Sequence, residues 1–252
     1  MLNILLCGCG GRMGAAFTAA AGAAGDRVIA GIDINPAADS TYPVFSSPDE
    51  FTGKADVIVD FSHHSALAGL LSYAERTGTP IVVCTTGHSD EEIAMMHETA
   101  KVVPVFFSRN MSLGINLLIS LCRKAAATLG LDFDVEIIEK HHNKKLDAPS
   151  GTALMLADAI KETDESAPRT YVYDRHAVRR ARERGEIGLH AVRGGTIVGE
   201  HEVLFAGKDE VVTLSHSATS REVFATGAMR AAHYMAGKPA GFYNMDNVLE
   251  EL

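Results

Sequence analysis

The residues best suited to acid–base chemistry lie together in one polar loop. It contains two adjacent histidines and two adjacent lysines: His141, His142, Lys144 and Lys145. Histidine can donate or accept a proton near neutral pH. The lysine ammonium groups add positive charge that attracts anions. The pattern therefore predicts a site that binds an anionic substrate and moves a proton.

A helix start follows this loop. Pro149-Ser150-Gly151-Thr152 is typical of a helix N terminus, with Ser150 as the N-cap, and predicts a helix over Thr152–Glu162. The unpaired N–H groups and the dipole of a helix start attract carboxylates, as the cationic loop does. A strand predicted over Asp134–Lys140 delivers the loop. A positive loop facing a helix start favours a substrate that carries carboxylates.

Other interpretations of the loop stay open. It could be a solvated loop followed by a capped helix. A zinc site has less support, because the adjacent histidines have no cysteine or third histidine at ligand spacing. His201-Glu202 only superficially resembles the HExxH motif and lies in a predicted strand. We therefore expect no metal.

A glycine-rich turn near the N terminus predicts a dinucleotide site, although such turns also occur without a ligand. It lies between a predicted strand, 2–7, and an Ala-rich predicted helix, 12–24. Glycines spaced GxxGxxG, at positions 8, 11 and 14, would allow a tight turn, close approach of a pyrophosphate, and close packing of helix on strand. The turn reads Gly8-Cys9-Gly10-Gly11-Arg12-Met13-Gly14.

Asp33 ends the second predicted strand, about 20 residues beyond the turn. Its carboxylate would accept hydrogen bonds from the adenosine ribose and repel a 2′-phosphate. No Arg or Lys follows in Ile34-Asn35-Pro36, so we expect NADH to be preferred over NADPH. Alternatively, Asp33 could merely start a turn with Asn35-Pro36.

Two later loops are candidates for the nicotinamide half of the cofactor. Ligands of open α/β sheets bind outside the carboxyl ends of the strands, and both loops follow predicted strands. Each is a weak signal by itself, because polar residues are common there. The loops are Cys84-Thr85-Thr86-Gly87 and Ser108-Arg109-Asn110-Met111.

The order of the elements predicts two different halves. In the first, short β-branched strands alternate with helices, which is typical of an α/β protein with a Rossmann-type, doubly wound parallel sheet. After residue 112 come a helix over Leu113–Leu129, a polar Arg-rich stretch from about Asp164 to Gly188, and a hairpin of Gly195–Phe205 with Glu210–Ser217. We expect an α+β domain with an open mixed, mostly antiparallel sheet.

Composition excludes several classes of function. The chain has 252 residues, a net charge of −9 and no tryptophan, which argues against nucleic acid as a partner. The cysteines, Cys7, Cys9, Cys84 and Cys122, are interpreted as buried, reduced thiols. No apolar run approaches the length of a membrane span, about 20 residues, and no secretion signal is visible. We expect a cytoplasmic protein.

One run of residues resembles the signature of the dihydrodipicolinate reductase family. It is Glu139-x-His141-His142-x-x-Lys145-x-Asp147-x-Pro149-Ser150-Gly151-Thr152-Ala153. The resemblance extends over nearly the whole chain. It includes the glycine turn, Asp60-Phe61-Ser62, Thr85-Thr86-Gly87, Asn110-Met111-Ser112 and the Arg193–His201 hairpin.

The resemblance implies a reaction. A reduced nicotinamide would give hydride to the ring of a cyclic dicarboxylate imine, with loss of water, in the diaminopimelate route to lysine. It implies that His141 and Lys145 donate protons, that His142 contacts one carboxylate of the substrate, and that Gly151 and Thr152 contact the other.

The resemblance also implies the organisation of the molecule. It implies a dinucleotide-binding domain of residues 1-112 and 220-252, closing over the ligands with a substrate-binding and oligomerisation domain of residues 113-219, and a homotetramer built through the sheets of the latter. One departure is Ile34, where some family members carry an arginine that would favour NADPH.

Two other functions were weighed. Another two-domain nicotinamide-dependent dehydrogenase is one, but a semialdehyde dehydrogenase would need a nucleophilic cysteine, and only Cys122 lies beyond the cofactor half. A non-catalytic NADH sensor is the other, although it predicts a disrupted proton-donor site. The basic run Arg175–Arg184 is interpreted as a solvated, mobile loop, and His63 and His64 as a helix start or cofactor neighbours.

Overall fold

A computed structural model of the protein describes residues 1–35, 40–164 and 168–251. The chain divides into two compact units. The first consists of Met1–Leu113 with Glu222–Leu252, and the second of Gly114–Arg221. Pro36 of the alternative turn and residues 165–167 of the polar stretch lie outside the described residues.

The elements are numbered along the chain. The strands are β1 Asn3–Cys7, β2 Arg27–Ile32, β3 Val44–Phe45, β4 Val57–Asp60, β5 Ile81–Val83, β6 Pro104–Phe107, β7 Asp134–His141, β8 Thr170–Val172, β9 Glu186–Arg193, β10 Gly199–Ala206, β11 Val211–Ala218 and β12 Gly241–Tyr243. The helices are α1 Arg12–Ala23, α2 Leu67–Thr77, α3 Asp90–Thr99, α4 Leu113–Leu129, α5 Gly151–Lys161, α6 Glu222–Met235 and α7 Met245–Glu250. Short 3-10 turns cover Pro48–Glu50, His64–Ala66 and Gly130–Asp132.

The first unit is built on a parallel sheet. Among the described residues it has seven strands, in the order β12-β6-β5-β4-β1-β2-β3. The strand order reverses at β1, which pairs with β2 on one side and β4 on the other. This arrangement is typical of a doubly wound fold, in which ligands bind at the carboxyl ends beside the reversal.

Both faces of this sheet are covered, which explains why its strands are continuously apolar. Along β1, Ile4 and Leu6 belong to one core cluster, while Leu5 and Cys7 belong to the other. α1 and α6 supply the first cluster, and α2 and α3 the second. α6 packs tightly, because a Cβ on Gly227 would lie 1.7 Å from the carbonyl oxygen of Met111.

The second unit has an open mixed sheet. Five strands of the described residues form it, in the order β11-β10-β7-β9-β8. The β11–β10 and β10–β7 pairings are antiparallel, and the β7–β9 and β9–β8 pairings are parallel. α4 and α5 share a core with one face of the sheet, because alternate residues of β7, from Val135 to His141, are buried. The predicted fold class is confirmed.

The polar stretch of the second unit is more ordered than expected. It contains β8 and the beginning of β9, and β10 begins four residues later than predicted. Its arginines also hold the sheet. Arg182 donates to the carbonyl of Val135 at 2.9 Å and pairs with Asp134 at 2.6 Å, while Arg175 pairs with Glu186 at 2.7 Å. The prediction of a solvated loop was therefore wrong for these arginines.

One helix reaches the length of a membrane span. α4 and the 3-10 turn that follows it, Leu113–Asp132, have 20 residues together, and an 18-residue window of them has a mean hydropathy of 1.2, so the expectation that no apolar run approaches this length was wrong. A single helix of this kind is weak evidence, because a core helix passes the same test. Ile115, Ile119 and Cys122 of this helix pack into the core of the second unit.

Candidate functional site

The predicted cofactor residues lie in the first unit, where the strands of the parallel sheet end. Because the strands are parallel, their carboxyl ends meet at one edge of the sheet. The residues that come at these ends are Gly8 after β1, Asp33 after β2, Asp60 in β4, Cys84 after β5 and Ser108 after β6.

Two glycines of the turn are required by close contacts. Gly8 has a φ of +74°, and a Cβ there would lie 2.5 Å from the carbonyl oxygen of Phe61. A Cβ on Gly14 would lie 2.5 Å from the carbonyl oxygen of Gly8 and 2.6 Å from the Cα of Cys9. Real Cβ atoms do not come this close, so the turn can pack between β1, β4 and α1 only with glycine at both positions.

Gly10, rather than Gly11, makes the third close approach. A Cβ on Gly10 would lie 2.6 Å from the carbonyl oxygen of Asn35, whereas a Cβ on Gly11 would meet nothing nearer than 3.4 Å. The spacing of 8, 11 and 14 was therefore incomplete as an explanation of the turn. Gly11 is the N-cap of α1, and because it has no side chain it leaves the first N–H groups of the helix available.

Asp33 is held against the turn. Its Oδ2 accepts a hydrogen bond from the Gly10 N–H at 2.8 Å, and its Oδ1 accepts one from the Asn35 N–H at 2.8 Å. The hydrogen bond from Asn35 forms the short turn that the alternative interpretation of Asp33 predicted. The hydrogen bond from Gly10 places the carboxylate beside the glycine turn, so both interpretations of Asp33 describe part of its environment.

A cavity of about 540 Å³ lies beside this turn within the first unit. Gly8, Gly11 and Asp33 line it on one side. Ser47 and His63 are among the other lining residues. His63 also accepts a hydrogen bond from the Ser65 N–H through Nδ1, at 3.3 Å, so it starts the 3-10 turn as well.

A buried carboxylate joins two of the predicted cofactor loops. Asp60 has no exposed surface. Its Oδ1 accepts from the N–H of Ser62 at 2.9 Å and from the Ser62 hydroxyl, and its Oδ2 accepts from Thr85 Oγ1 at 2.8 Å. Burial raises the pKa of Asp60, because these neutral donors only partly offset the loss of water.

The remaining predicted cofactor residues differ in exposure. Cys9, Cys84 and Met111 are buried and pack into the cores, so their side chains are structural. Thr86, Arg12 and Arg109 are exposed, and Met13 and Asn110 are half-buried. Ser108 is buried, and its hydroxyl donates to the carbonyl of Asn110 at 2.7 Å. Contact of these residues with a cofactor stays a prediction.

In the second unit, β7 ends at His141, and a carboxylate lies behind this histidine. Glu139 is fully buried, and its Oε2 lies 2.6 Å from His141 Nδ1. Arg193 of β9 donates through both terminal nitrogens, one to each oxygen of Glu139, at 2.7 Å. The Ser150 N–H donates to Oε1 at 3.0 Å. Burial raises the pKa of Glu139, but these hydrogen bonds outweigh it and leave the pKa below its ordinary value.

His141 is nearly buried. Burial lowers the pKa of His141, and the hydrogen bond that His141 donates to Glu139 only partly opposes that effect. The ring of His201 lies 5.2 Å from it, edge to face, and burial lowers the pKa of His201 to about 4. His201 Nε2 lies 3.0 Å from Ser150 Oγ. His201, set aside at the sequence level, therefore borders the site.

The other predicted substrate residues lie around the start of α5. Lys145 pairs with Asp147 at 2.8 Å, and its charge contributes to lowering the pKa of His141. Ser150 is the N-cap and accepts from the Ala153 N–H at 3.1 Å, as predicted. A Cβ on Gly151 would meet nothing within 4 Å, so the space above this residue is open.

His142 and Thr152, also predicted to contact substrate, are both half-buried. No group of three His, Cys, Asp or Glu side chains among the described residues could hold a metal ion. In the sequence, Glu139 and Arg193 stand out only as parts of motifs. Buried and half-buried residues alternate along β7, and the polar residues Glu139 and His141 occupy buried positions of this alternation. That was the signal from which the Glu139–His141 pair could have been predicted.

Comparison with known proteins settles the family. Residues 2–111 match the model described as dihydrodipicolinate reductase, N-terminus, and residues 114–249 match the C-terminus model. The chain belongs to the dihydrodipicolinate reductase family. A 4-hydroxy-tetrahydrodipicolinate reductase of Clostridium botulinum (strain Eklund 17B / Type B) is 49% identical over 99% of this chain and 98% of its own. One of Caldanaerobacter subterraneus subsp. tengcongensis is 48% identical over 100% of this chain and 99% of its own.

Solved structures agree with the family. A dipicolinate-bound dihydrodipicolinate reductase from Paenisporosarcina sp. TG-14 has a TM-score of 0.83 and 26% identity, covering 98% of this chain and 99% of its own. A myo-inositol dehydrogenase from Corynebacterium glutamicum has a TM-score of 0.61 and 17% identity, over 99% of this chain and 93% of its own, and shares only the fold.

Membership of the dihydrodipicolinate reductase family confirms the predicted class of function. The chain is an oxidoreductase of a nicotinamide-dependent family that serves lysine biosynthesis. Neither of the two alternatives, another two-domain dehydrogenase or a non-catalytic NADH sensor, is favoured by these comparisons.

Proposed function

We propose that this chain reduces 4-hydroxy-tetrahydrodipicolinate to tetrahydrodipicolinate in the cytoplasm, on the diaminopimelate route to lysine, with NADH preferred over NADPH. The observation that best supports this reaction is the buried Glu139–His141 pair, which lies beside Lys145 and an uncrowded helix start at Gly151. This arrangement combines a proton donor with donors for carboxylates, which a dianionic substrate requires.

The first unit, residues 1-112 and 220-252, is proposed to bind the dinucleotide. Gly8, Gly10 and Gly14 form a cradle in which a Cβ would collide with backbone atoms, and Gly11 leaves the N–H groups of α1 available. These features suit a pyrophosphate. When bound, the reduced nicotinamide supplies hydride. The predicted loops at Cys84, Thr85 and Thr86 and at Ser108, Arg109, Asn110 and Met111 would contact that half.

The preference for NADH rests on Asp33 and Ile34. Asp33 lies beside the cavity as a carboxylate, and a second negative charge there would be repelled. Ile34 is 81% exposed and offers no positive charge to a 2′-phosphate. We expect kcat/KM for NADH to exceed that for NADPH, and NADPH used at least equally well would refute the preference.

The second unit, residues 113-219, is proposed to bind the substrate. His142 and Lys145 would bind one carboxylate of the substrate. The N–H groups of Gly151 and Thr152 at the start of α5 would bind the other. Asp147 already pairs with Lys145, and the Gly151 N–H also contributes to lowering the pKa of Asp147. A substrate carboxylate would therefore compete with Asp147 for both donors.

The proton step is assigned to His141 and Lys145. Hydride addition leaves negative charge on the substrate ring, which a nearby cationic acid stabilises and protonates. His141 Nε2 can hold that proton because Nδ1 is engaged by Glu139. Lys145 supplies a second proton donor, an ammonium group, and its ion pair with Asp147 keeps this group near the loop.

A homotetramer through the open face of the five-stranded sheet is part of the proposal. Val192 of β9 and Val211 of β11 leave 44% and 57% of their surfaces exposed. Apolar side chains on an uncovered sheet face support burial against another copy. Sedimentation equilibrium of the full chain should give four times 26.9 kDa.

A coupled assay tests the reaction. Dihydrodipicolinate synthase with pyruvate and aspartate semialdehyde supplies the substrate, and NADH absorbance is followed. We expect rapid oxidation, and its absence with both NADH and NADPH would overturn the proposed function. His141→Gln should lose turnover far more than NADH affinity. His190→Gln is the matched control, because His190 pairs with Glu136 at 2.7 Å on the same sheet.

A further inference from the structure

Glu139 is the only acceptor shared by four donors of the proposed acid–base centre among the described residues. Its Oε1 takes the Ser150 N–H at 3.0 Å and one terminal nitrogen of Arg193 at 2.7 Å. Its Oε2 takes the other terminal nitrogen of Arg193 at 2.7 Å and faces His141 Nδ1 at 2.6 Å. One fully buried side chain thus joins the proton donor to the helix start that binds a carboxylate.

This arrangement determines which nitrogen of His141 carries a proton. An ionised carboxylate can only accept, so Nδ1 must donate to Glu139. Nε2 is then the nitrogen that gains or loses a proton. The position that a Cβ on Gly199 would take lies 3.1 Å from Nε2, so glycine at 199 leaves this atom uncovered.

We propose that Glu139, clamped by Arg193, is a positioning residue that holds His141 as the Nδ1–H tautomer and ties it to the start of α5. The proposal deepens the proposed function and rests on it, because it assigns the supporting partner of the same acid. Carboxylates that hydrogen-bond a catalytic imidazole fix its orientation and tautomer in other enzymes. Nothing in this role requires Glu139 to be protonated.

The charges around His141 come from several elements. Glu139 of β7 raises the pKa of His141, while Lys145 of the loop and Arg193 of β9 lower it. His201 of β10 stands against the ring and is neutral. His142 follows His141 in the chain. Glu139 is thus the one carboxylate among these groups, and removing its charge leaves only influences that lower the pKa.

Glu139→Gln gives a sharp prediction because of the donors around it. The Oε1 position faces two groups that can only donate, the Ser150 N–H and one Arg193 nitrogen, whereas the Oε2 position faces the other Arg193 nitrogen and His141. The amide oxygen therefore takes the Oε1 side. The amide NH₂ then faces His141 Nδ1, the one partner able to accept. We expect His141 to switch to the Nε2–H tautomer in this variant.

Glu136→Gln is the matched control. Glu136 lies on the same strand, and its carboxylate also holds a histidine and two arginines, namely His190 at 2.7 Å, Arg175 at 2.6 Å and Arg182 at 3.1 Å. Its side chain occupies an alternate, half-buried position of β7. A purely structural role of Glu139 would make the two variants alike.

Nitrogen NMR of the full chain, labelled with ¹⁵N-histidine, reads the tautomer directly, with His141→Gln identifying the signal. We expect an Nδ1–H signal for His141 in the wild type and in Glu136→Gln, and an Nε2–H signal in Glu139→Gln. An unchanged tautomer in Glu139→Gln, or the same switch in Glu136→Gln, would overturn the proposal. This readout needs no substrate, so it stands even if the proposed reaction fails.

Kinetics provide the second readout. In Glu139→Gln we expect kcat to fall on the order of 10²-fold, within the contribution of a positioned acid or base, with the Kd of NADH unchanged. The limb of the pH profile that belongs to His141 should move to lower pH, because the pKa falls. A kcat loss with an unmoved limb would refute the positioning role. Absence of wild-type turnover would refute the proposed function instead.

Discussion

Asp60 in the first unit and Glu139 in the second are both fully buried carboxylates near the carboxyl end of a strand. Their partners differ. Asp60 accepts hydrogen bonds from Ser62 and Thr85, which are neutral. Glu139 accepts a bidentate pair from Arg193. Burial raises the pKa of Asp60, whereas the hydrogen bonds to Glu139 overcome burial and lower its pKa.

The difference shows how one chain uses a buried acid in two ways. Neutral donors keep two loops together without requiring a permanent charge, which suits a scaffold beneath the proposed cofactor site. An arginine fork keeps the carboxylate ionised, which is needed to orient a histidine that changes protonation. The partner, rather than the extent of burial, therefore decides what a buried carboxylate can do.

Removing Arg193 should have the largest effect on the free energy of unfolding. Arg193→Met leaves the charge of Glu139 buried without its fork, and the free energy of unfolding should fall by about 3 kcal/mol or more. Urea unfolding followed by circular dichroism measures it. Arg184→Met is the control, since Arg184 pairs with Asp132 at the exposed surface at 2.9 Å. Equal losses in the two variants would contradict the distinction.

Neutralising Glu139 should destabilise the protein more than neutralising Asp60. Glu139→Gln replaces hydrogen bonds made to a charged group and should cost about 2 kcal/mol. Asp60→Asn should cost about 1 kcal/mol or less, because burial already disfavours the charge of Asp60 and the amide oxygen can still accept from Ser62. Melting temperatures at pH 7 compare the two. A larger loss for Asp60→Asn would reverse the comparison.

Removing Thr85, a neutral donor to Asp60, should lower stability less than removing Arg193. Thr85→Val removes one hydrogen bond of 2.8 Å and keeps the shape, so stability should fall by about 1 kcal/mol. Thr52→Val, at an exposed position of the first unit, should change stability by only about 0.5 kcal/mol or less. Calorimetry of both variants tests this, and indistinguishable melting temperatures would count against a bond to Asp60.

The pH dependence of stability should show the smallest effect and opposite signs. The pKa of Glu139 is lowered in the folded state, so its contribution is present above the unfolded pKa and is lost as pH falls through the folded pKa. The pKa of Asp60 is raised, so its contribution is present below the unfolded pKa and is lost as pH rises through the folded pKa.

Melting temperatures between pH 3 and pH 7 therefore separate the two acids. The deficit of Glu139→Gln relative to the wild type should shrink as pH falls. Asp60→Asn should instead gain on the wild type as pH rises. Parallel curves for both variants would mean that the two carboxylates have the same state in the fold.

Much of the fold was predictable because its signals are local. The strands from β1 to β6 that have four or more residues were apolar runs between helices, and the glycine turn lay at the first of them. β3, β8 and β12 were missed, since each has only two or three residues and, unlike the equally short β5, no continuous run of β-branched residues. The beginning of β9 was missed because it lies in an arginine-rich stretch, where Glu186 is neutralised by Arg175 and Arg180.

The sequence by itself determined the family, the two kinds of sheet and the residue types of both candidate sites, because glycine spacing, strand periodicity and the His–Lys loop depend on neighbours along the chain. Only the tertiary structure decided that Gly10 is a close contact and that Glu139 is ionised. Arg193 lies 54 residues from Glu139, and it reaches the carboxylate because β7 and β9 pair in parallel. A charge state inside a protein depends on such distant partners, which no local pattern records.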